Sequence, residues 1–374
     1  MIHIVGLYKC GTSWLLQMLA AHPEVLAWRE FDPVRTAFDL DHRPRHLPRL
    51  ALDYLWRQPQ QDAWMQRMES SRPRSPEQRF QDMFLGRGWL PLMGARAQQQ
   101  AAALPTHDLD TLIDELLRLG DLGLRGDAAP PLAPYALNRT LGVQSIRRKD
   151  LKALMEQVRD SAGGDAAVRA FFSMLRAQVA QETTLVTKAA DQVMQLELLR
   201  RLSPGSTCLA IVRDGRDAAI SAQHYEALMR KRNAPWRVGN RGDRRRALAW
   251  SLRAAKLAGH AQRGEVTVLR YEDLRGDFAG TCRLLLQHLK LDCSDEVVEA
   301  IHRATDFRVA SGGRAPGESA EHIVRRGQVQ EWREALGDRD ASRAWRWMGA
   351  ELGAFGYGRE GQLTPSDLVL SNRS

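Results

Sequence analysis

The sequence feature that most limits the possible folds is a turn near the start of the chain, bounded by Gly6 and Gly11. The octet from Gly6 to Ser13 reads Gly-Leu-Tyr-Lys-Cys-Gly-Thr-Ser, and it overlaps the end of a β-branched, apolar run over residues 1–7. Residues 12–21 then repeat apolar side chains at helical spacing. A turn between a buried strand and a helix N-terminus presents backbone N–H groups to an anion. The sequence therefore predicts a strand, a phosphate-binding loop and a helix.

The octet departs from the loop that binds nucleoside triphosphates. That loop, G-x-x-x-x-G-K-[ST], has a lysine directly after its second glycine. Here Thr12 occupies that position, and Lys9 lies inside the loop instead. The apolar strand pattern at 207–212 is followed by Arg213 rather than by an acid that could hold Mg²⁺. The loop thus predicts a ligand with a 5′-phosphate ester that needs no metal, with a chance glycine-rich turn as the alternative.

Short apolar strand patterns alternate with helical patterns in the second half of the chain. Strands are predicted at 184–187, 207–212 and 265–269, and helices at 191–202, 217–229 and 281–289. This alternation predicts an α/β fold with a parallel β-sheet flanked by helices on both faces. Residues 1–374 are treated as a single domain. Within it, residues 31–183 are rich in Pro, Arg and Gln and are expected to form a mostly helical insert or cap.

The composition favours an anionic ligand. Lys and Arg number 54 against 45 Asp and Glu, which gives a formal net charge of +9. Basic runs at 230–232 and 241–246 leave nucleic-acid binding as an alternative, although no pattern of stacking aromatics accompanies them. The four cysteines have no zinc-ligand spacing, and no apolar run is long enough to cross a bilayer. Without a signal-peptide pattern at the N-terminus, we expect a cytoplasmic protein.

A second anion site is predicted where the 207–212 strand ends. Arg213 follows this strand, and Ser221 lies about two turns into the next helix. A guanidinium and a hydroxyl so placed can hold one phosphate, because arginine supplies a bidentate fork. An ion pair within the fold is the alternative role for Arg213. Further along, the basic segment 325–327 ends in a glycine and can fold over a phosphate.

In combination, these stretches resemble the sulfotransferases that use 3′-phosphoadenosine 5′-phosphosulfate (PAPS), above all the glycan, tyrosylprotein and bacterial types. The resemblance covers about residues 1–32 and 184–357 and implies the P-loop-like sulfotransferase fold. It implies a 5′-phosphosulfate loop, a 3′-phosphate motif, a tyrosine against the adenine and a late loop over the 3′-phosphate. The implied donor-binding residues are Lys9, Cys10, Gly11, Thr12, Ser13, Trp14, Arg213, Ser221, Tyr271, Arg325, Arg326 and Gly327. The late loop departs from the family pattern at Gln330, where the family often has Gly.

The resemblance also implies the reaction, an in-line transfer of a sulfuryl group from PAPS to an acceptor hydroxyl or amine without a metal. Such a transfer depends mainly on positioning and on charge stabilisation. Lys9 would stabilise the charge that grows on the bridging oxygen as it leaves. The acceptor is expected to be a glycan, a peptide or a small molecule, and the insert at 31–183 is expected to help bind it. A P-loop kinase-like phosphotransferase is the alternative function.

Two carboxylates are candidates for the general base that takes the acceptor's proton. Glu30 lies 21 residues after Lys9, in a stretch that resembles glycan and tyrosylprotein sulfotransferases, and we prefer it. Asp191 lies 22 residues before Arg213, where the small-molecule branch has its catalytic histidine, although a helix N-cap is its alternative role. Lys188 resembles a second catalytic lysine of glycan sulfotransferases, but two alanines follow it in place of the K-[ST]-P motif.

Overall fold

The structure is a computed structural model in which the two regions that carry the predicted motifs are largely described. The described residues are 1–29, 183–188, 192–231, 242–311, 313–315, 318 and 326–370, together with 166, 168, 169 and 173. The insert at 31–183 lies almost entirely outside them, so its helical character and its role stay predictions. Among the described helices, none combines the length and the apolar character that a membrane crossing requires.

Five strands form one sheet. They are β1 (Ile2–Gly6), β2 (Val25–Arg29), β3 (Thr184–Lys188), β4 (Thr207–Val212) and β5 (Thr267–Arg270). Their order across the sheet is β2-β3-β1-β4-β5, and every neighbouring pair is parallel. The strands are short and mostly apolar, as expected for a parallel sheet that is covered on both faces. This topology confirms the predicted α/β fold.

The register brings the carboxyl ends of the central strands to one edge of the sheet. Gly6, the last residue of β1, pairs with Ile211 near the end of β4. On the other side of β1, Ile4 pairs with Lys188, the last residue of β3. The ends of β4 and β5 are paired as well. The segments that follow these strands therefore leave the sheet side by side, where open parallel sheets bind their ligands.

Helices cover both faces of the sheet. In chain order they are α1 (Thr12–Ala20), α2 (Leu196–Leu202, after a 3₁₀ turn over Gln192–Gln195), α3 (Gly215–Lys231), α4 (Asp243–Gln262), α5 (Tyr271–Gly276), α6 (Phe278–His288), α7 (Asp295–Thr305), α8 (Phe307–Ser311), α9 (Trp332–Ala335) and α10 (Asp338–Ala354). On one face, Ile4 of β1 belongs to an apolar core with Leu15 of α1 and Leu285 of α6. The next strand residue, Val5, points to the opposite face and is also fully buried.

Some element bounds differ from the sequence-based prediction. β4 has the predicted bounds, but β5 begins two residues later than predicted, because the backbone N–H of Glu265 donates to the carbonyl oxygen of His260 at 3.0 Å in the preceding turn. The helix predicted from residue 281 begins at Phe278, because the Asp277 side chain caps it by accepting a bond from Gly280 N at 2.9 Å. The sequence pattern does not predict β2.

Candidate functional site

The turn after β1 has a backbone shape that requires its glycines. Gly11 has a φ of 100° at the start of α1, in the left-handed region that favours glycine. A Cβ atom on Gly11 would lie 2.9 Å from Cδ2 of Tyr271, and one on Gly6 would lie 2.7 Å from Cγ2 of Thr12. Both positions are thus closed to larger residues. The first N–H groups of α1 have no partner within the helix, which leaves them for an anion held by the turn.

Lys9 extends from this turn toward α3. Its Nζ lies 4.3 Å from the centroid of the Tyr225 ring, in a cation–π contact. Tyr8 packs edge-on against the same ring, with 6.0 Å between centroids. Tyr225 follows Ser221 by one helical turn, so the helix that carries the predicted 3′-phosphate hydroxyl also contacts the lysine of the turn. The sequence analysis missed Tyr225, and its spacing of four residues from Ser221 is the signal that could have found it.

The structure brings Lys188 to the same turn. Its Nζ donates a hydrogen bond to Oγ of Ser13 at 3.3 Å, across 175 positions of sequence. Lys188 is buried, whereas Ser13 is exposed in the first turn of α1. Because Ser13 Oγ accepts this bond, its own proton can be donated to another oxygen in the turn. The N-terminus of α1 thus has a second lysine beside it.

The side chain of Cys10 is completely buried. Burial raises the pKa of its thiol to about 12, so the group is neutral at physiological pH. Only the backbone of Cys10 is therefore placed to contact a ligand. Thr12 is buried as well, at 8% exposure, and its methyl group packs against the backbone of Gly6.

Arg213 lies at the end of β4, on the other side of the turn. Its Nη2 donates to the carbonyl oxygen of Gln328 at 2.7 Å and lies 3.5 Å from Oδ2 of Asp217. Its guanidinium carbon is 4.8 Å from the ring centroid of Tyr271. The ion pair that the sequence left open for Arg213 is therefore present. Its buried Nε has no hydrogen-bond partner among the described residues, which makes this N–H a candidate donor to an anion.

Two packed aromatic residues, Trp14 and Tyr271, lie next to the turn. Trp14 packs edge-on against Tyr271, with 5.3 Å between ring centroids. The Trp14 indole N–H donates to the carbonyl oxygen of Thr305 at 3.2 Å, which fixes the ring. Tyr271 is buried beside Gly11, and Ser221 is half-buried on α3. The structure therefore gathers the turn, Arg213 and Tyr271, and Trp14 packs against that tyrosine.

The late basic segment approaches this edge in a left-handed conformation. Gly327 has a φ of 59°, and a Cβ atom there would lie 2.4 Å from the ring of Phe307. Gln330 has a φ of 57°, which explains why a glycine suits this position in the family pattern. Its side-chain Nε2 donates to the carbonyl oxygen of Gly361 at 2.6 Å, a bond that offsets part of the backbone strain.

Arg326 pairs with two carboxylates in the same segment. Its Nη1 lies 3.3 Å from Oε1 of Glu331 and 3.5 Å from Oε2 of Glu334. Glu331 is buried, and Glu334 is exposed. The arginine is therefore held near the surface by acidic partners, and a bound anion would compete with them for its donors.

Three predicted site residues lie outside the described residues, namely Glu30, Asp191 and Arg325. β2 ends at Arg29, which pairs in register with Lys188 of β3. Glu30 is the next residue in the sequence after this strand end. The roles of all three residues stay predictions.

The buried carboxylate of Glu272 accepts hydrogen bonds next to the strand ends. Oε1 of Glu272 accepts a bond from the backbone N–H of Asp214 at 3.1 Å, and Oε2 accepts one from the hydroxyl of Tyr357 at 2.6 Å. Burial raises the pKa of Glu272 from 4.5 to about 7. The sequence analysis did not identify Glu272 as part of this region, although it directly follows Tyr271.

Glu272→Gln is expected to remove a pH dependence of stability. Between pH 4.5 and about 7 the folded state holds a proton on Glu272 that the unfolded state has lost, so the wild-type free energy of unfolding falls as the pH rises through this window. The variant lacks this proton. Its free energy of unfolding relative to wild type should therefore increase by on the order of 3 kcal/mol from pH 5 to pH 8, as measured by urea unfolding.

The substitution is tolerable because Tyr357 has a second acceptor. Its hydroxyl lies 3.3 Å from the carbonyl oxygen of Val212, so it can donate there and accept from the new amide. A difference in unfolding free energy that stays constant across this pH range would contradict the raised pKa of Glu272.

The chain is similar to several solved structures at low sequence identity. Similar solved structures include a retinol dehydratase in complex with retinol and PAP, at 13% identity, covering 94% of this chain and 80% of that one with a TM-score of 0.38. A mouse sulfotransferase complexed with PAP is 17% identical over 55% of this chain and 80% of its own, with a TM-score of 0.37. A sulfotransferase from Mycobacterium avium is 13% identical over 96% and 78%, with a TM-score of 0.43. No curated protein matches the sequence.

The sequence model of the sulfotransferase family matches residues 127–295. This range includes β4, β5 and three of the predicted donor-binding residues, Arg213, Ser221 and Tyr271. Over these residues the match confirms the resemblance to the sulfotransferase family that the motifs predict.

Proposed function

We propose that this protein is a sulfotransferase that moves a sulfuryl group from PAPS to an acceptor hydroxyl or amine without a metal ion. The observation that carries the proposal is the placement of cations at two separate points of one sheet edge. Lys9 and Lys188 lie at the turn, and Arg213 lies beyond it beside Tyr271. PAPS carries a 5′-phosphosulfate and a separate 3′-phosphate, so it requires two anion sites at some distance from each other.

The donor also fits the local chemistry of the two sites. At the turn, left-handed Gly11 and the free N–H groups of α1 suit the 5′-phosphate. At Arg213, the buried Nε without a described partner suits the 3′-phosphate, since an unpaired buried donor costs free energy until an acceptor reaches it. Tyr271 lies between these points and is the proposed contact of the adenine.

In the proposed transfer, the acceptor oxygen or nitrogen forms a bond to sulfur while the bond from sulfur to the bridging oxygen breaks. The electron pair of that bond stays on the bridging oxygen, which becomes a 5′-phosphate oxygen of adenosine 3′,5′-bisphosphate. Lys9 stabilises the charge that develops there, and Lys188 acts on the same group from the side of Ser13. The acceptor's proton goes to a carboxylate base.

Glu30 is the proposed base, with Asp191 as the alternative. The support for Glu30 is its place directly after β2, whose last residue pairs with Lys188. Glu30→Ala should lose turnover and keep its affinity for adenosine 3′,5′-bisphosphate. If Asp191→Ala loses turnover and Glu30→Ala does not, Asp191 is the base. The acceptor itself is proposed to be a glycan, a peptide or a small-molecule hydroxyl.

The function is tested first by ligand binding and then by transfer. Adenosine 3′,5′-bisphosphate without metal should raise the melting temperature of the full chain more than ATP with Mg²⁺ does. Stabilisation by ATP with Mg²⁺ alone would favour a kinase-like phosphotransferase instead. A panel of acceptors with PAPS labelled in its sulfate should then give a labelled product, and transfer to none of the three acceptor classes would count against the proposal.

A further inference from the structure

The carboxylate of Asp217 joins three parts of the site that are distant in sequence. Asp217 lies in the first turn of α3 and is fully buried. Its Oδ2 accepts a bond from the backbone N–H of Gln330 at 2.8 Å, and its Oδ1 accepts one from the backbone N–H of Trp332 at 2.9 Å. Oδ2 also lies 3.5 Å from Nη2 of Arg213. One side chain therefore binds the arginine of the strand end and the late segment together.

The late segment needs an acceptor from outside itself. α9 begins at Trp332, and its cap residue Glu331 makes no side-chain capping bond. The first N–H groups of a helix have no partner within it, so another element must satisfy them. Gln330, two residues earlier, turns the chain in the left-handed region. Asp217 thus caps a short helix and fixes the turn before it.

Arg213 and Arg216, which are close to Asp217 in sequence, also contact the late segment. Nη2 of Arg213 donates to the carbonyl oxygen of Gln328 at 2.7 Å. The guanidinium carbon of Arg216 lies 3.7 Å from the ring centroid of Trp332, in a cation–π contact. The strand end and the first turn of α3 therefore hold residues 328–332 at three successive points, with the Asp217 carboxylate in the middle.

These contacts decide how the guanidinium of Arg213 is oriented. Nη2 is engaged by Asp217 and Gln328, whereas the buried Nε has no described partner. A carboxylate that holds Nη2 fixes the orientation of the planar guanidinium, and with it the direction of the Nε–H bond. Loss of this carboxylate would leave both the arginine and the late segment free to reorient.

We propose that Asp217 is a positioning residue for the 3′-phosphate, which it does not touch itself. It orients the guanidinium of Arg213, and it holds the segment that carries Arg326 and Gly327 against α3. The arginine and the segment then face the same phosphate. This inference rests on the proposed function, because it presupposes a donor with a 3′-phosphate.

The test compares two nucleotides that differ only in the 3′-phosphate. Dissociation constants of adenosine 3′,5′-bisphosphate and adenosine 5′-monophosphate are measured by calorimetry on the full chain, and their ratio reports the 3′-phosphate alone. Asp217→Asn should reduce the wild-type preference for the bisphosphate at least tenfold, because its amide cannot accept both backbone bonds. The affinity for the monophosphate should change little.

A matched control lies on the same helix. Glu226 is buried in α3 and pairs with Arg246 at 3.0 Å, so Glu226→Gln also removes a buried carboxylate from an arginine. It should lower the melting temperature and leave the nucleotide ratio unchanged. A wild-type protein without preference for the bisphosphate would overturn the proposed function, whereas a preference that persists in Asp217→Asn would overturn this inference alone.

A second measurement needs no variant and applies if Asp217→Asn fails to fold. Hydrogen exchange of the Gln330 and Trp332 amides is followed in the wild-type chain. These amides should be protected without ligand, and the bisphosphate should slow their exchange further while the monophosphate does not. Equal exchange with both nucleotides would overturn the positioning role of Asp217.

Discussion

Lys9→Met is expected to lower kcat for sulfuryl transfer by about 10²–10³-fold, the usual cost of removing one group that stabilises charge in a transition state. Lys9 is the lysine that lies within the turn itself, where the proposed leaving oxygen forms. Methionine keeps the length of the side chain and removes its charge. Steady-state rates with labelled PAPS and an identified acceptor measure the effect.

The change should leave recognition of the 3′-phosphate intact. Both adenosine 3′,5′-bisphosphate and adenosine 5′-monophosphate carry the 5′-phosphate near Lys9, so the ratio of their dissociation constants should stay at the wild-type value. Lys290→Met is the matched control, because both lysines have a left-handed φ, of 63° at Lys9 and 57° at Lys290, and Lys290 is exposed after α6. Its loop contacts α1 at the far end, where His22 Nε2 lies 2.9 Å from the carbonyl oxygen of Asp292. Full activity of Lys9→Met would remove this lysine from the mechanism.

Much of the sheet could be predicted from the sequence because its signals are local. Residues 207–212 are an apolar run with defined ends, and β4 has those bounds. Gly6 and Gly11 are spaced as a phosphate-binding turn requires, and both pack too closely for any other residue. The cap of α3 was also predictable, since Asp214 accepts a bond from the backbone N–H of Arg216 at 2.9 Å.

The contacts that complete the site could not be predicted in this way, because they join residues far apart in sequence. No local pattern indicates that Lys188 reaches Ser13, or that Asp217 caps a helix more than 100 residues away. Gln330 was identified as a departure from the family pattern, but its left-handed φ accompanies bonds to Asp217 and Gly361, which are distant in sequence. Such pairings follow from the sheet order, which the sequence does not specify.

The two arginines that follow β4 make different contacts, so the role of each depends on its partners in the structure. Arg216 pairs with Asp214 at 2.7 Å and is almost completely buried, so it supports the fold and cannot reach a ligand. Arg213, three residues earlier, donates from Nη2 to the fold and has a buried Nε without a described partner. The alternatives that the sequence offered for Arg213, an ion pair or a phosphate contact, are compatible because a guanidinium has five N–H donors.

Arg213→Lys is expected to weaken the binding of adenosine 3′,5′-bisphosphate about 10-fold to 100-fold. This loss corresponds to losing charge-assisted hydrogen bonds to a buried anion. Lysine keeps the positive charge that Asp217 needs, so the fold is not left with an unpaired buried carboxylate. It lacks the planar fork, however, and cannot bind Asp217, Gln328 and a phosphate together. The affinity for adenosine 5′-monophosphate should stay near the wild-type value, as calorimetry will measure.

Arg246→Lys makes the same exchange at a second buried arginine. Arg246 pairs with Glu226 on the neighbouring helix and is as well buried as Arg213. Its loss of hydrogen bonds should lower the melting temperature without changing the preference for the bisphosphate. If both variants reduce the affinity for the bisphosphate equally, the effect is a general destabilisation of the fold, and Arg213 is not the 3′-phosphate ligand. If only Arg213→Lys does so, while Lys9→Met loses turnover and keeps the preference, then the two cations serve the two ends of one donor.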